Sequence, residues 1–511
     1  MLVAGFVLTV AASRVTGPTF DEEHRLQAVH RATELVRAVT DFGPSALGSS
    51  SAEAIYDEMQ PFGPLPTLIS GWFGEVLAAA HLMDRLVAAR LGWLLLTGTA
   101  PAALYFMVVR SHGPRVAALA ACLLLAMPRW LHGAASAREP VVVASIWLVL
   151  LALYVQSIAP ARAARRRGVR APFRGAAFVF ALALGLGIST SLATLWVLPL
   201  IVVHSLVARP RHLRRSLRQG MLPLPFALLA MIVVSPVTLV AAGPSLWQGG
   251  AHAAAWFLSP LAPSIEPLLY RGGPIVSPRD VPGGYALRWL VATTPALVLA
   301  LAFAGAGVIA AEYWAARRVR RDDAVGLGSL LVLAVFAIVF GPALTPAVFT
   351  RFPPRVEAAL PFIAAAAAIP VVRAASRAVG EQRGVFVVLV AGVLFVTSGL
   401  IGVPTASSSF GLFGGGTARA VESRMWTVGD GSEVAPLAAA IDKLGMPRLA
   451  IDAPEVPRTY WQLLQRDGRL HTQVEPGRAG ALTVSVNRGP HAGALATVAR
   501  DGATLWSLTR R

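Results

Sequence analysis

The residues of this sequence best suited to chemistry fall in three short clusters. The first, Phe20-Asp21-Glu22-Glu23-His24-Arg25, sets three carboxylates side by side. Mutual repulsion and poor solvation beside a hydrocarbon surface raise the pKa of at least one of them. An acid tuned in this way can act as general base toward a hydroxyl or an amine. The same string also reads as an ordinary helix start, where Asp and Glu complement the helix dipole. The second cluster, Gln60-Pro61-Phe62-Gly63-Pro64-Leu65-Pro66, packs three prolines into six residues. It forces an extended, rigid entry into a following helix, or is simply a turn at a membrane surface. The third runs from Arg129-Trp130 through His132 to Ser136-Ala137-Arg138-Glu139. Its arginines suit a phosphate, whose oxygens the guanidinium fork binds in pairs; the alternative is arginines that reach from hydrocarbon to the interface.

Composition says what scaffold must position these groups. Of 511 residues, 14% are charged and 55% hydrophobic, with a mean hydropathy of +0.61. Apolar runs of about 20 residues recur, the length that crosses ~30 Å of hydrocarbon. These values exclude a soluble enzyme, a disordered chain and a disulfide scaffold, and the single cysteine, Cys122, lies inside an apolar run. The net charge is +18, and Lys443 is the only lysine. Segments 110–115, 159–174, 208–218, 315–325 and 372–384 hold 20 arginines and 3 acids. Short basic loops between apolar spans mark a cytoplasmic face, with anionic lipid headgroups as a secondary role, and they speak against nucleic acid.

About eleven spans are expected, near 2–13, 86–109, 116–128, 140–158, 176–188, 192–207, 219–242, 289–314, 327–340, 356–371 and 385–403. With the N-terminus inside, alternation puts all five basic segments on the cytoplasmic face and all three reactive clusters on the opposite one. The first span is short, or truncated, and lacks the charged start of a signal peptide. The spans carry almost no ionisable residue, which argues against a proton- or ion-coupled carrier and moves the chemistry to the outer surface.

Three outward regions are long. In 14–85, ten acids outnumber five arginines. Asp21 to Ala38 reads as an amphipathic helix with Leu26, Val29, Ala32, Thr33 and Val36 on one face, capped by Thr19 or Asp21. Leu65 to Leu82 reads as a helix along the interface. Region 243–288 is rich in Gly and Pro and carries Trp247, Trp256, Glu266, Tyr270, Arg271 and Tyr285, either an interfacial aromatic belt or the lining of a sugar or lipid groove. The tail follows a Ser/Gly linker, 404–416, and reads as a small α/β domain, 417–511. Its elements are a helix over Val434–Leu444, a strand over Arg448–Asp452, a helix over Tyr460–Arg466, a strand over Leu482–Val486 and a hairpin across Asp501-Gly502.

Taken together, order and spacing resemble the GT-C glycosyltransferases of the protein O-mannosyltransferase and lipid A aminoarabinose transferase type. The matching elements span roughly 14–400. They are Asp21-Glu22 after the first span and Pro64-Leu65-Pro66-Thr67-Leu68 with Gly71-Trp72-Phe73-Gly74. Then come Ala88-Ala89-Arg90-Leu91 at the second span, Ser136-Ala137-Arg138, and Pro353-Pro354-Arg355 with Leu360-Pro361-Phe362. The family's motif histidine is replaced near Gln60 or Gly63. Ser189-Thr190-Ser191 stands where a lysine is common, and Glu139 is the only acid beside the Arg138 element.

The resemblance implies an all-α polytopic membrane protein of GT-C type, residues 1–403, with an extracytoplasmic α/β tail. It implies an inverting transfer from a polyprenyl-phosphate sugar to a lipid, glycan or protein acceptor, on the outer face of a bacterial inner membrane. Asp21 would be the general base, and Glu22 would orient the acceptor or Asp21, or hold a divalent cation. Arg138, with Arg129, Arg351 and Arg355, would hold the donor phosphate; Glu23, His24, Pro64, Glu139, Tyr270 and Arg271 would line the acceptor side. A divalent cation, Mg or Mn, stays open, because the acids lack a specific ligand spacing. Two rivals are a non-catalytic GT-C-like assembly protein and a lipid or solute transporter. The transporter calls for paired halves and midplane polar residues, and the sequence offers neither.

Overall fold

A computed structural model describes residues 1–19, 22–43, 64–166, 173–191, 268–270, 273–275, 285–318, 360–402, 434–453, 458–476, 482–486, 493–500 and 503–510, with isolated positions between them. Its first helix, α1 (Leu2–Val15), ends where Thr16 turns extended and Pro18 follows, since proline cannot continue a helix. Helix α2 (Glu22–Phe42) buries Glu22, Arg25, Ala28, Val29, Ala32, Thr33 and Leu35. The inward stripe is thus rotated from the expected one, and Leu26 and Val36 are only half-buried. Hydrophobic pattern alone could not place the stripe, because two of its members are charged.

The expected interfacial helix is a rod in three parts: α3 (Pro64–Ile69), a π-helical turn (Ser70–Gly74) and α4 (Glu75–Ala79). It packs between α2 and α5 (Arg85–Thr97). Contact is close at two glycines. A Cβ on Gly92 would lie 2.0 Å from the Pro66 carbonyl oxygen, and one on Gly74 would lie 2.3 Å from that of Ala88. The Ser70 hydroxyl accepts the Gly92 N–H at 2.9 Å. The outer face of the rod leaves Trp72 and Phe73 exposed and stacked, ring centroids 5.3 Å apart.

The bundle continues through α6 (Ala100–Ala126), α7 (Pro128–Ala135), α8 (Glu139–Arg166), α9 (Phe173–Ile188), α10 (Tyr285–Thr293), α11 (Ala296–Arg318) and α12 (Leu360–Gly402). Helix α6 packs between α12 and α8, and Leu104, Met107, Val108, Ala117 and Leu124 are fully buried there. Two expected basic loops shrink to single breaks at Gly113 (φ 81°) and Gly380 (φ 75°), backbone angles that favour glycine. Between α9 and α10 a short hairpin, β1 (Leu268–Tyr270) and β2 (Gly273–Ile275), pairs Tyr270 with Gly273.

Among the described residues two helices, Arg85–Val109 and Leu360–Gly380, are long and apolar enough to cross a membrane. The number rises to four if each of two bent pairs is one span. One pair corrects the span expected at 289–314: Leu287–Thr293 meets Ala296–Glu312 at 119°, around Thr294-Pro295. The other corrects the loop expected after 128, where His112–Ala126 bends by 71° into helix α7. Proline drives both breaks by removing a donor and clashing with the preceding turn. Most of the spans expected at 192–207, 219–242 and 327–340 lies outside the described residues.

The tail holds α13 (Ala435–Asp442), β3 (Arg448–Asp452), α14 (Arg458–Arg466), β4 (Gln473–Pro476), β5 (Leu482–Val486), β6 (Ala494–Arg500) and β7 (Ala503–Arg510). The five-stranded sheet has the order β4-β3-β5-β7-β6. Strand β3 is parallel to both neighbours and the rest is antiparallel. Sequence pattern had missed β4, which is short and carries a terminal proline. Helix α14 sends Tyr460, Trp461 and Leu464 into a core with Ile441, Ile451, Val484, Trp506 and Leu508. Asp442 closes α13 onto β4 by accepting the Thr472 N–H at 2.8 Å and the His471 N–H at 3.0 Å.

Two outcomes follow from this packing. Gly92→Ala is expected to lower the melting temperature in detergent, with an overpacking cost of about 1–3 kcal/mol; wild-type melting would show that the rod can move aside. Desolvation works to raise the pKa of Asp442, but the Thr472 and His471 N–H donors outweigh it and hold it below the ordinary 3.8. A depressed carboxylate stabilises above its unfolded pKa and loses that contribution as pH falls through the folded one. The stability gap between wild type and Asp442→Ala, followed by Trp461 and Trp506 fluorescence, should therefore be full above pH 3.8 and close below it.

Candidate active site

Two buried arginines, Arg25 and Arg90, bond to Gly17, Thr19 and Glu22. Thr19 and Glu22 close a turn on each other: the Glu22 N–H donates to the Thr19 carbonyl at 3.1 Å, and the Thr19 N–H donates to Glu22 Oε2 at 2.9 Å. Glu22 is 1% exposed, as is Arg90 of α5. The two meet as a fork, with Arg90 Nε to Oε1 at 2.5 Å and Nη2 to Oε2 at 2.7 Å. The remaining Arg90 donors reach the end of α1: the Gly17 carbonyl at 2.9 Å, Ser13 Oγ at 3.2 Å and the Thr16 carbonyl at 3.4 Å. A cation at a helix C-terminus and an acid at a helix N-terminus each complement the local dipole. One side chain thus satisfies both ends of the α1–α2 connection.

Arg25, one turn beyond Glu22, reaches a different element. Its Nη1 donates to the carbonyls of Ser136 (3.2 Å) and Ala137 (2.5 Å), and its Nη2 to Thr19 Oγ1 at 3.4 Å. Ala137 has φ 57°, a left-handed conformation that costs a non-glycine residue roughly 1–2 kcal/mol. The Arg138 N–H donates to the Gly133 carbonyl at 2.8 Å, and the Arg138 carbonyl accepts from Val141 and Val142 in the first turn of α8. The turn bearing Arg138 is therefore tied to the first turn of α2.

Two further contacts complete this end of the bundle. Arg129, buried on α7, places its guanidinium 5.2 Å from the ring centroid of Trp289 on α10, a cation–π distance. Glu357 is fully buried, and its Oε2 lies 3.2 Å from where a Cβ on Gly133 would be. The glycine lets a carboxylate approach the backbone of α7 beside His132. Leu65, entering α3, donates its N–H to the Ser189 carbonyl at 3.1 Å, which joins the Pro64-Leu65-Pro66 element to the Ser189-Thr190-Ser191 turn.

Of the residues singled out by sequence, Glu22, Arg129 and Arg138 gather at these helix ends. Glu23, His24, Pro64 and Glu139 occupy the first turns of α2, α3 and α8, where the backbone alone is described, and Tyr270 ends β1. Asp21, Arg271, Arg351 and Arg355 lie outside the described residues. Arg25, Arg90 and Glu357 had been given no role. Their common mark in the sequence is a charge set at the edge of an apolar run, in a chain with few charges. Among the described residues no group of three His, Cys, Asp or Glu could hold a metal ion. Both oxygens of Glu22 are occupied by Arg90, so the described acids do not fit a divalent cation.

No family model and no curated sequence matches the chain. Its structure is similar to that of ArnT from Cupriavidus metallidurans, solved bound to undecaprenyl phosphate and in the apo state. Each of those two matches has a TM-score of 0.51 and 16% identity, and covers 99% of this chain and 97% of that one. Archaeal oligosaccharyltransferase AglB from Archaeoglobus fulgidus, solved with an inhibitory peptide and a dolichol-phosphate, matches at a TM-score of 0.47 and 12% identity. That match covers 78% of this chain, which spans about 55% of AglB. The chain therefore has an ArnT-like fold over nearly its whole length: a mostly helical membrane protein with a mixed sheet at its C-terminal end.

Removing one partner of a buried ion pair strands the other charge, at about 3–5 kcal/mol, whereas an apolar replacement of both is far milder. Arg90→Met is therefore expected to unfold the chain at a much lower temperature, and Glu22→Leu/Arg90→Met to recover a large part of the loss. A double-mutant cycle of melting temperatures in detergent checks this; additive losses would show that the two side chains act separately.

Proposed function

We propose that this protein is a glycosyltransferase that moves a sugar from a polyprenyl-phosphate donor to a lipid, glycan or protein acceptor on the outer face of a bacterial cytoplasmic membrane. The observation that carries the reading is the Arg25 bridge. It ties the first turn of α2, which follows Asp21 in the sequence, to the turn that bears Arg138; the reading takes Asp21 as the base and Arg138 as the phosphate anchor. Support comes from the fold shared with ArnT, a protein solved with undecaprenyl phosphate bound.

In this reading the acceptor hydroxyl or amine attacks the anomeric carbon from the face opposite the leaving group. Asp21 takes the acceptor proton as the new bond forms. The bond between the anomeric carbon and the phosphate oxygen breaks with its electron pair, leaving polyprenyl phosphate and inverted stereochemistry. Arg138, assisted by Arg129, Arg351 and Arg355, binds the charge that gathers on that phosphate, the larger catalytic contribution in a water-poor site. Glu22, locked to Arg90, fixes the backbone on which Asp21 sits. Glu23, His24, Pro64, Glu139, Tyr270 and Arg271 line the acceptor side, and apolar grooves between about eleven spans take the prenyl chain. The α/β tail lies on the same outer side and covers the acceptor.

Asp21→Asn tests the assignment. General-base catalysis contributes roughly 10²–10⁴-fold, so transfer in membranes should fall by that order with protein level and melting temperature unchanged. Mass spectrometry of envelope glycans from cells with and without the protein identifies the sugar. Near-normal turnover of an intact Asp21→Asn protein would reject Asp21 as base, and unchanged glycans on deletion would reject the transferase reading.

A further inference from the structure

Among the described residues the tail meets the bundle where α14 packs on α2 and at the turn Asp467-Gly468-Arg469 between α14 and β4. Arg469 Nη1 donates to the Thr16 carbonyl at 3.0 Å and Nη2 to the Arg14 carbonyl at 2.9 Å. Asp467 Oδ1 accepts the Leu86 N–H at 2.8 Å. Each bond spans more than 380 residues of sequence. Arg14 and Thr16 lie at the C-terminal end of α1, and Leu86 lies in the first turn of α5. These are the two helix ends that flank the Glu22–Arg90 pair. The Thr16 carbonyl is shared, accepting from Arg90 inside the bundle and from Arg469 outside it. The turn therefore satisfies orphan carbonyls of one helix and an orphan N–H of another, a role for which Asp84, the residue before α5, offers no side-chain bond. Gly468 between them has φ 70°, a left-handed conformation that favours glycine. Asp467 and Arg469 are also paired to each other, and the Asp467 side chain is 4% exposed.

We infer that Asp467 and Arg469 are positioning residues: the tail domain, through this turn, sets the place of residues 14–22 and so of the Glu22–Arg90 pair and the segment that carries Asp21. As a consequence for transfer, this rests on the glycosyltransferase reading above; as a statement about residues 14–22 it does not. The tail is then part of the catalytic frame rather than only a cover over the acceptor. Burial outweighs the pull of Arg469 and the Leu86 N–H and pushes the Asp467 carboxyl above its ordinary range.

Hydrogen–deuterium exchange of the full chain in nanodiscs reads the proposal directly. Arg469→Ala should speed exchange of the 14–22 amides by roughly tenfold for each hydrogen bond lost that stabilises the closed state, with protection over 448–452, 460–466 and 504–508 unchanged. Arg469→Lys, which can reach one carbonyl but not two, should fall between Arg469→Ala and wild type, and exposed Arg466→Ala should match wild type. Wild-type exchange over 14–22 in Arg469→Ala overturns the inference. So does lost protection in the tail itself, which would make Arg469 a part of the tail's own fold. In a transfer assay on membranes, Arg469→Ala should lower kcat roughly in step with the loosened population and leave the donor KM in place. Unchanged kcat alongside faster exchange would separate the turn from catalysis and overturn the positioning role. If the wild type transfers no sugar, the glycosyltransferase reading fails, while the exchange result still decides whether the tail holds residues 14–22.

Discussion

The fold around the candidate site depends on where one guanidinium is put. Arg90 enters a helix of apolar neighbours, Leu86, Val87, Ala88, Leu91 and Leu94, in a protein whose spans otherwise avoid charge. Isolated, it would be costly there by several kcal/mol. It is tolerated because all its donors find oxygen: two on Glu22, the rest on the last carbonyls of α1. Those carbonyls need donors in any case, since the end of a helix leaves them unsatisfied. Two liabilities, a buried cation and a helix end in a low-dielectric setting, cancel each other. The connection between α1 and α2 has little freedom left once both are met.

The same economy recurs at the other contacts. Arg25 meets two carbonyls of a turn that holds an alanine in a left-handed conformation. Arg469 meets two carbonyls of α1. Arg469 takes one carbonyl on each prong of its planar fork, which a point-like ammonium lacks, while Arg25 bonds both carbonyls through Nη1 and reaches Thr19 with Nη2. The chain's near-exclusive use of arginine is thus turned to structural account at this end of the bundle, whatever its origin in codon composition. The arginines of the basic segments form a separate population, set beside breaks such as Gly113 and Gly380.

How much of this was legible in the sequence depends on the kind of residue. The tail was read nearly element by element: β3 and β5 have the expected limits, and β6 and β7 pair across the expected turn. Alternating β-branched residues and a Gly-containing turn are local properties. The bends at Thr294-Pro295 and Met127-Pro128 were written in the prolines but overridden by the apolar runs that contain them. For α2 the helix was right and its face was not. Leu26 and Val36 fit an apolar stripe, while the true stripe includes Glu22 and Arg25, whose partners lie 68 and 111 residues away. Nothing local announces that a charge will be paired by a distant one. The same limit hid Glu357, which falls at the start of the span expected at 356–371 and whose place against Gly133 no local pattern shows.

That asymmetry bears on how such a site can vary in sequence. Glu22 and Arg90 must change together, because either alone leaves a buried charge, whereas a residue facing substrate is constrained by chemistry rather than by its neighbours. A frame made of interlocked pairs is therefore harder to alter than the residues it presents. Of the substituted motif positions, Gln60 and Gly63 lie outside the described residues; the turn at Ser189 serves through its backbone, by accepting the Leu65 N–H. A backbone carbonyl keeps that role whatever side chain stands on it. A frame of interlocked pairs can thus persist while the side chains it presents change.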